Sequence, residues 1–79
     1  MSDKKQAVMS ALIAYGFETD TYLEFDRHMS GGHQRLGQAF YNALDRSDQE
    51  VLMGTRYDPH SSDEVSDVLL AIAFLRGEV

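Results

Sequence analysis

Three histidines and thirteen carboxylates are the groups in this 79-residue chain with the most chemistry open to them. Imidazole together with carboxylate suits zinc or another divalent ion, and Asp26, His28, His33 and His60 are the residues that would have to converge. Their spacing does not support a site. Two histidines four apart on a helix would share a face, whereas His28 and His33 are five apart across Gly31-Gly32. They are expected to be surface or capping side chains, with no metal and no other cofactor bound. Nucleophilic catalysis needs a serine or threonine beside a histidine that a carboxylate orients. His60-Ser61-Ser62-Asp63 has those residue types only as neighbours in sequence, where they suit a loop and a helix start better than a triad. No carboxylate is set in an apolar stretch that would raise its pKa for acid-base work. Ser30-Gly31-Gly32-His33 lacks the lysine and the glycine spacing of a phosphate loop. The chain is expected not to be an enzyme.

Base recognition is a better-formed possibility. Two helices around Gly31-Gly32 have the outline of a helix-turn-helix, and Gln34, Arg35, Gln38 and Asn42 on the exposed side of the second are residue types that pair with guanine or adenine edges. Charge argues the other way. Seven lysines and arginines against thirteen acids give a net charge of -6, too few cations to neutralise several phosphates or to hold an anionic lipid surface. DNA binding through these four residues is therefore the alternative, and a solvated helix face is the plainer reading.

The acids are unevenly placed. Residues 18–26 hold Glu18, Asp20, Glu24 and Asp26 without a base, and residues 58–67 hold Asp58, Asp63, Glu64 and Asp67 without a base. Between them lies a basic island of Arg27, His28, His33, Arg35 and Arg46. Asp20 with Glu24, and Asp63 with Asp67, are four apart, so on helices each pair would project from one side. Asp20, Glu24, Asp26, Asp63, Glu64 and Asp67 are accordingly the candidate partner-binding residues. The competing reading is compensation of helix N-terminal dipoles.

The elements that must position these groups read as helices throughout. The first begins at Asp3, a candidate cap, buries Val8, Ala11, Leu12 and Tyr15, and ends at Gly16. Thr19 or Asp20 is placed to cap a second, with Tyr22, Phe25 and Met29 on one face and Ser30-Gly31-Gly32 as its stop. A third spans residues 34–44, with Leu36, Ala39, Phe40, Ala43 and Leu44 inward and Arg35, Gln38, Tyr41, Asn42 and Asp45 outward. Gly37 inside it marks the crossing of another helix. Ser47-Asp48-Gln49-Glu50 reads as a capping box opening a short fourth helix that Gly54 ends. Residues 55–61, with the only proline at Pro59, form a loop. Ser61 or Ser62 then caps a last helix whose first turn carries Asp63 and Glu64 and whose body, residues 65–76, is apolar almost all round. The fold class is all-α: one compact domain over residues 1–79 made of four to five short helices. Neither a cysteine, a signal-peptide pattern nor an apolar run long enough to span a bilayer is present, so a reducing cytoplasm is the expected location. A core this small is marginal, and the chain is expected to be a monomer or a homodimer.

At Arg35-Leu36-Gly37-Gln38-Ala39-Phe40-Tyr41-Asn42-Ala43-Leu44, followed by Asp48, the middle third of the chain resembles small phage and prophage proteins with an Arg-x-Gly-Gln-x-Phe-x-Asn pattern. That resemblance implies no catalytic position. It implies a phage setting, in which small acidic single-domain proteins look like inhibitors of host defence, among them the anti-CRISPR proteins, some of which are similar to DNA in displaying negative charge. The partner it implies is a host protein complex such as a CRISPR surveillance complex, bound at a basic nucleic-acid site. Arg27, Arg35, Arg46 and Arg56 interrupt the acidic surface, so the expected interface is local and acidic or mixed.

Overall fold

Apolar side chains recurring every three or four residues make each segment a helix with one face to bury. The computed structural model describes residues 3–79, as five helices: α1 (Asp3–Ala14), α2 (Thr19–Ser30), α3 (Leu36–Ala43), α4 (Arg46–Leu52) and α5 (Val65–Leu75). The all-α expectation is met, with no strand among the described residues. Val8 and Leu12 of α1, Phe25 of α2, Leu36, Ala39 and Phe40 of α3, Leu52 of α4, and Val68, Ala71 and Ile72 of α5 form one core. No polar or charged side chain is buried among the described residues. Burying an apolar face this way contributes roughly 1.5–3 kcal/mol for each large side chain removed from water. A Cα radius of gyration of 11.1 Å agrees with the ~11.6 Å expected of one globule of this length.

Two ends of the molecule define the chain directions. At one, the Lys4 ammonium donates to the Asp63 carbonyl at 2.9 Å, and the Leu36 amide donates to the Asp63 carboxylate at 2.9 Å. At the other, the Tyr15 hydroxyl donates to Glu78 at 2.9 Å, and Arg76 donates to the Tyr15 carbonyl at 3.1 Å while its guanidinium lies 3.8 Å from the centre of the Phe17 ring. So α1 and α5 run side by side in the same sense, α3 starts at the end where α5 starts, and α2 returns between α1 and α3.

Helix ends differ from the sequence expectation by a residue or two, because the groups that satisfy them are not always the nearest serine or threonine. Asp3 lies in the first turn of α1 rather than capping it. The residue preceding α2 is Glu18, not Thr19 or Asp20. The third helix is shorter than residues 34–44, with Arg35 as its N-cap and Leu44 as its C-cap. Arg35 has no acceptor to offer, so only half of a capping box forms, the Gln38 side chain accepting from the Arg35 amide at 3.3 Å. The fourth helix is capped by Asp45 rather than opened at Ser47. The Asp45 carboxylate accepts from the Asp48 amide at 3.0 Å and from the Ser47 hydroxyl at 2.9 Å, placing Ser47 inside the helix. The last helix is preceded by Glu64, so Asp63 lies outside it. The Ser62 hydroxyl instead accepts from the Glu64 amide at 3.0 Å and donates to Asp67 at 2.6 Å.

Gly37 marks a close approach, and what approaches is a loop, not a helix. The Gly37 amide donates to the Ser62 carbonyl at 2.9 Å. A Cβ at Gly37 would overlap the Pro59 carbonyl oxygen and stand 2.8 Å from both the Pro59 carbonyl carbon and the Ser62 oxygen. All of these are backbone atoms, which cannot swing aside as a side-chain tip can. Gly31 contrasts with it: at φ -68° its added Cβ would meet the nearest atom, the His28 carbonyl oxygen, at 3.5 Å.

Two expectations follow. Gly37→Ala should cost about 3 kcal/mol or more through backbone displacement, while Gly31→Ala should stay within about 0.5 kcal/mol of wild type; urea unfolding of the two variants measures both. At Asp45, the Asp48 amide and then the Ser47 hydroxyl hold the folded carboxyl below its ordinary value. The ionised cap therefore stabilises the fold fully above about pH 5, and the contribution is lost as pH falls through the lowered value. Asp45→Ala should accordingly be less stable by about 1 kcal/mol at neutral pH, with the gap closing toward about pH 2 in unfolding curves taken across the acid range.

Candidate functional site

The six carboxylates singled out in the sequence do not form two matching helix faces. Asp20 and Glu24 do lie four apart on the exposed side of α2, and the Asp20 carboxylate has no hydrogen bond or ion pair with the described residues. Glu24 is engaged by Arg27 at 2.6 Å, with His28 at 3.9 Å, and the Arg27 hydrogen bond holds its pKa below the usual carboxylate range. Asp63 and Asp67 are not a helical pair, since α5 begins after Asp63. Asp63 caps α3 across 27 residues of sequence, and Asp67 accepts from Ser62.

What the fold does assemble is a mixed cluster at one end of the molecule. Lys5 is ion-paired with Asp26 of α2, and its neighbour Lys4 reaches the Asp63 carbonyl. The two lysines at the start of α1 thus draw together Asp26, from the first acidic segment, and Asp63, from the second. Glu64 and Asp67, both exposed, follow Asp63 at the head of α5, and Asp3 precedes the lysines. Arg35, exposed and one residue before the amide that Asp63 caps, adds a cation. The start of α1 is thus tied both to Asp26 of α2 and to Asp63 ahead of α5, a juxtaposition no local pattern announces.

The base-reading residues are largely occupied by one another. Gln34 is hydrogen-bonded to the His28 ring at 2.9 Å and accepts from Asn42 at 3.0 Å, so these three side chains join α2 to α3 across the glycine turn. Gln38 accepts from the Arg35 amide. Of the four, Arg35 alone has no side-chain hydrogen bond or ion pair with the described residues. Tyr41, expected outward, is half-buried: its hydroxyl donates to the Gln49 carbonyl at 3.3 Å and its ring meets His60 edge-on at 5.5 Å.

The histidines fall in separate places, His28 in the α2–α3 junction, His60 against Tyr41 and His33 exposed in the turn, and no group of three metal-ligating side chains comes together among the described residues. Ser62 and Asp63 spend their polar atoms on the starts of α5 and α3. One carboxyl departs from the expectation that none is raised. Partial burial and then the nearby Asp45 push Asp48 up, against the opposing effect of Arg76. No cavity opens beside it among the described residues. Tyr15 is also raised, by its hydrogen bond to Glu78.

No family model, curated protein or solved structure matches the chain. The functional reading therefore rests on the surface itself. Asp63→Ala should lower stability by about 1 kcal/mol, the usual effect of losing a cap. Asp20→Ala, the same change of charge at an exposed site, should leave stability within about 0.5 kcal/mol. Thermal unfolding of the two proteins side by side checks the assignment of Asp63 as a structural residue.

Proposed function

We propose that this protein is a small interaction module that binds a basic surface of a host protein complex and blocks it, with the nucleic-acid site of a CRISPR surveillance complex as the target its resemblance to phage proteins suggests. The observation that carries this reading is the net charge of -6 together with the exposed Asp63, Glu64 and Asp67 at the head of α5, which Lys4 ties to the start of α1, where Lys5 holds Asp26. A displayed excess of carboxylate complements a cation-rich groove and speeds encounter with it. Lys4 and Lys5 hold Asp63 and Asp26 in place and offset part of the negative charge there, which leaves Glu64 and Asp67 unpaired with any cation among the described residues. Asp26 and Asp63 are positioning residues in this scheme, and Glu64 and Asp67 are the exposed contacts. Asp20 and Glu24 sit apart on α2 and form a second, weaker contact interrupted by Arg27.

The DNA-binding alternative is less well supported, since Gln34, Gln38 and Asn42 make hydrogen bonds within the protein and the net charge is -6. Affinity purification of the tagged protein from bacterial lysate, compared with Glu64→Gln/Asp67→Asn and with Asp20→Asn/Glu24→Gln, tests the proposal. The first double variant should retain its partner at least tenfold less well while unfolding like wild type, and the second should show a smaller loss. Equal retention by all three proteins would overturn the assignment. Binding of a DNA duplex that weakens steeply with salt would move the function to the alternative.

A further inference from the structure

His28, Gln34 and Asn42 form a chain of three side chains whose hydrogen bonds all point one way. The Asn42 carboxamide nitrogen donates to Gln34 Oε1 at 3.0 Å, and Gln34 Nε2 lies 2.9 Å from His28 Nδ1. Because Oε1 is taken by Asn42, the atom that Gln34 turns to the ring is a donor, and Nδ1 must accept. Only an unprotonated Nδ1 can do so, and the arrangement therefore belongs to neutral His28 with its proton on Nε2. The ring is held between helices, its side chain 17% exposed. The charged groups that face it come from α2: Glu24 lies 3.9 Å from Nε2, and Arg27 donates to the same Glu24 oxygen at 2.6 and 3.1 Å. The turn and α3 bring the uncharged Gln34 and Asn42, while His33 and Arg35, on either side of Gln34, are exposed. On the α1 side, Lys5 pairs with Asp26, two residues from His28 and nearly opposite it on the helix.

We propose that this chain is a two-state proton switch: when His28 takes up a second ring proton, the Gln34 and Asn42 carboxamides both turn over and every hydrogen bond in the chain reverses. A protonated ring carries N–H at both nitrogens, and Nδ1–H would then face the Gln34 N–H, donor against donor, which is unfavourable. Half a turn of the Gln34 carboxamide presents Oε1 to the ring and Nε2 to Asn42, and half a turn of the Asn42 carboxamide presents Oδ1 to receive it. A carboxamide keeps its shape in such a turn, so the backbones of α2 and α3 need not move. With one amide turned and the other not, two N–H groups face each other, and the pair therefore turns together. Glu24 favours the charged ring, and Arg27, on the same oxygen, opposes it. Imidazole ordinarily changes charge between about pH 5 and 8, and the switch works in that range. Its effect reaches the surface, because Asn42 is exposed. With His28 neutral Asn42 leaves its carbonyl oxygen to solvent, and with His28 charged it leaves its amide nitrogen. The α3 face that Asn42 shares with Arg35 and Gln38, spaced i, i+3 and i+7, thus changes from acceptor to donor as the α2–α3 junction gains a positive charge.

The switch is independent of the acidic contact assigned above, and proton–nitrogen correlation NMR of the whole protein from about pH 8 to about pH 5 tests it. At the upper end His28 should be the Nε2–H tautomer. As pH falls, the side-chain amide signals of Gln34 and Asn42 should move with the same midpoint as the His28 ring. Asn42→Asp separates hydrogen-bond coupling from charge: a carboxylate at that exposed position only accepts, so Gln34 must give it Nε2 and turn Oε1 to the ring. The neutral ring of that variant should then be the Nδ1–H tautomer, a change that added negative charge alone would not produce. An Nδ1–H tautomer in the wild type at high pH would overturn the inference, as would Gln34 and Asn42 amide signals that ignore the His28 titration. An Asn42→Asp variant that keeps the Nε2–H tautomer would overturn the coupling on which the switch rests.

Discussion

Two backbone amides at the start of α3 and the loop that receives them hold this fold together. The first amides of a helix have no partner inside it, and burying them unpaired is costly. Here the Leu36 amide donates to the Asp63 carboxylate and the Gly37 amide to the Ser62 carbonyl. Residues 59–63 can lie this close only because position 37 has no side chain. The same loop leads directly into α5, so seating it on α3 also sets where α5 begins. Lys4 then secures the loop from the α1 side through the Asp63 carbonyl. Asx and serine turns, from Asp58 to the His60 amide and from Ser62 to the Glu64 amide, stiffen the strap locally.

With the interior wholly apolar among the described residues, every charge is left to the surface, where most contribute little to stability. Arg27–Glu24 and Arg46–Glu50 are exposed pairs within single helices. Arg76 does more, because it closes the opposite end of the bundle by reaching the Tyr15 carbonyl and covering the Phe17 ring. The result is a surface of distinct regions: an end rich in carboxylates around Lys4 and Lys5, and an α2–α3 junction tied by His28, Gln34 and Asn42.

The middle segment, residues 35–44, shows how a sequence pattern divides into structural tasks. Gly37 admits the loop, Gln38 accepts from the Arg35 amide, Phe40 fills the core and Asn42 bonds Gln34. The Arg35 side chain is the part of the pattern with no such task among the described residues.

Helix number, the buried faces and the breaks at Gly16, Gly32 and Gly54 were legible in the residues themselves, because apolar periodicity and the preference of glycine for positive φ act within a turn or two of chain. The core positions Val8, Leu12, Phe25, Leu36, Phe40 and Ile72 follow from the same short-range rule. The true caps were not legible: Asp45 displaced the more obvious Ser47, and Asp63 caps a helix 27 residues before it. Nor was the identity of the neighbour at Gly37, where a loop stands in place of the expected helix. Tertiary structure alone decided which carboxylates meet, since bringing Asp26 and Asp63 to adjacent lysines depends on α2 and α5 flanking α1, and packing, unlike periodicity, joins residues that are distant in sequence.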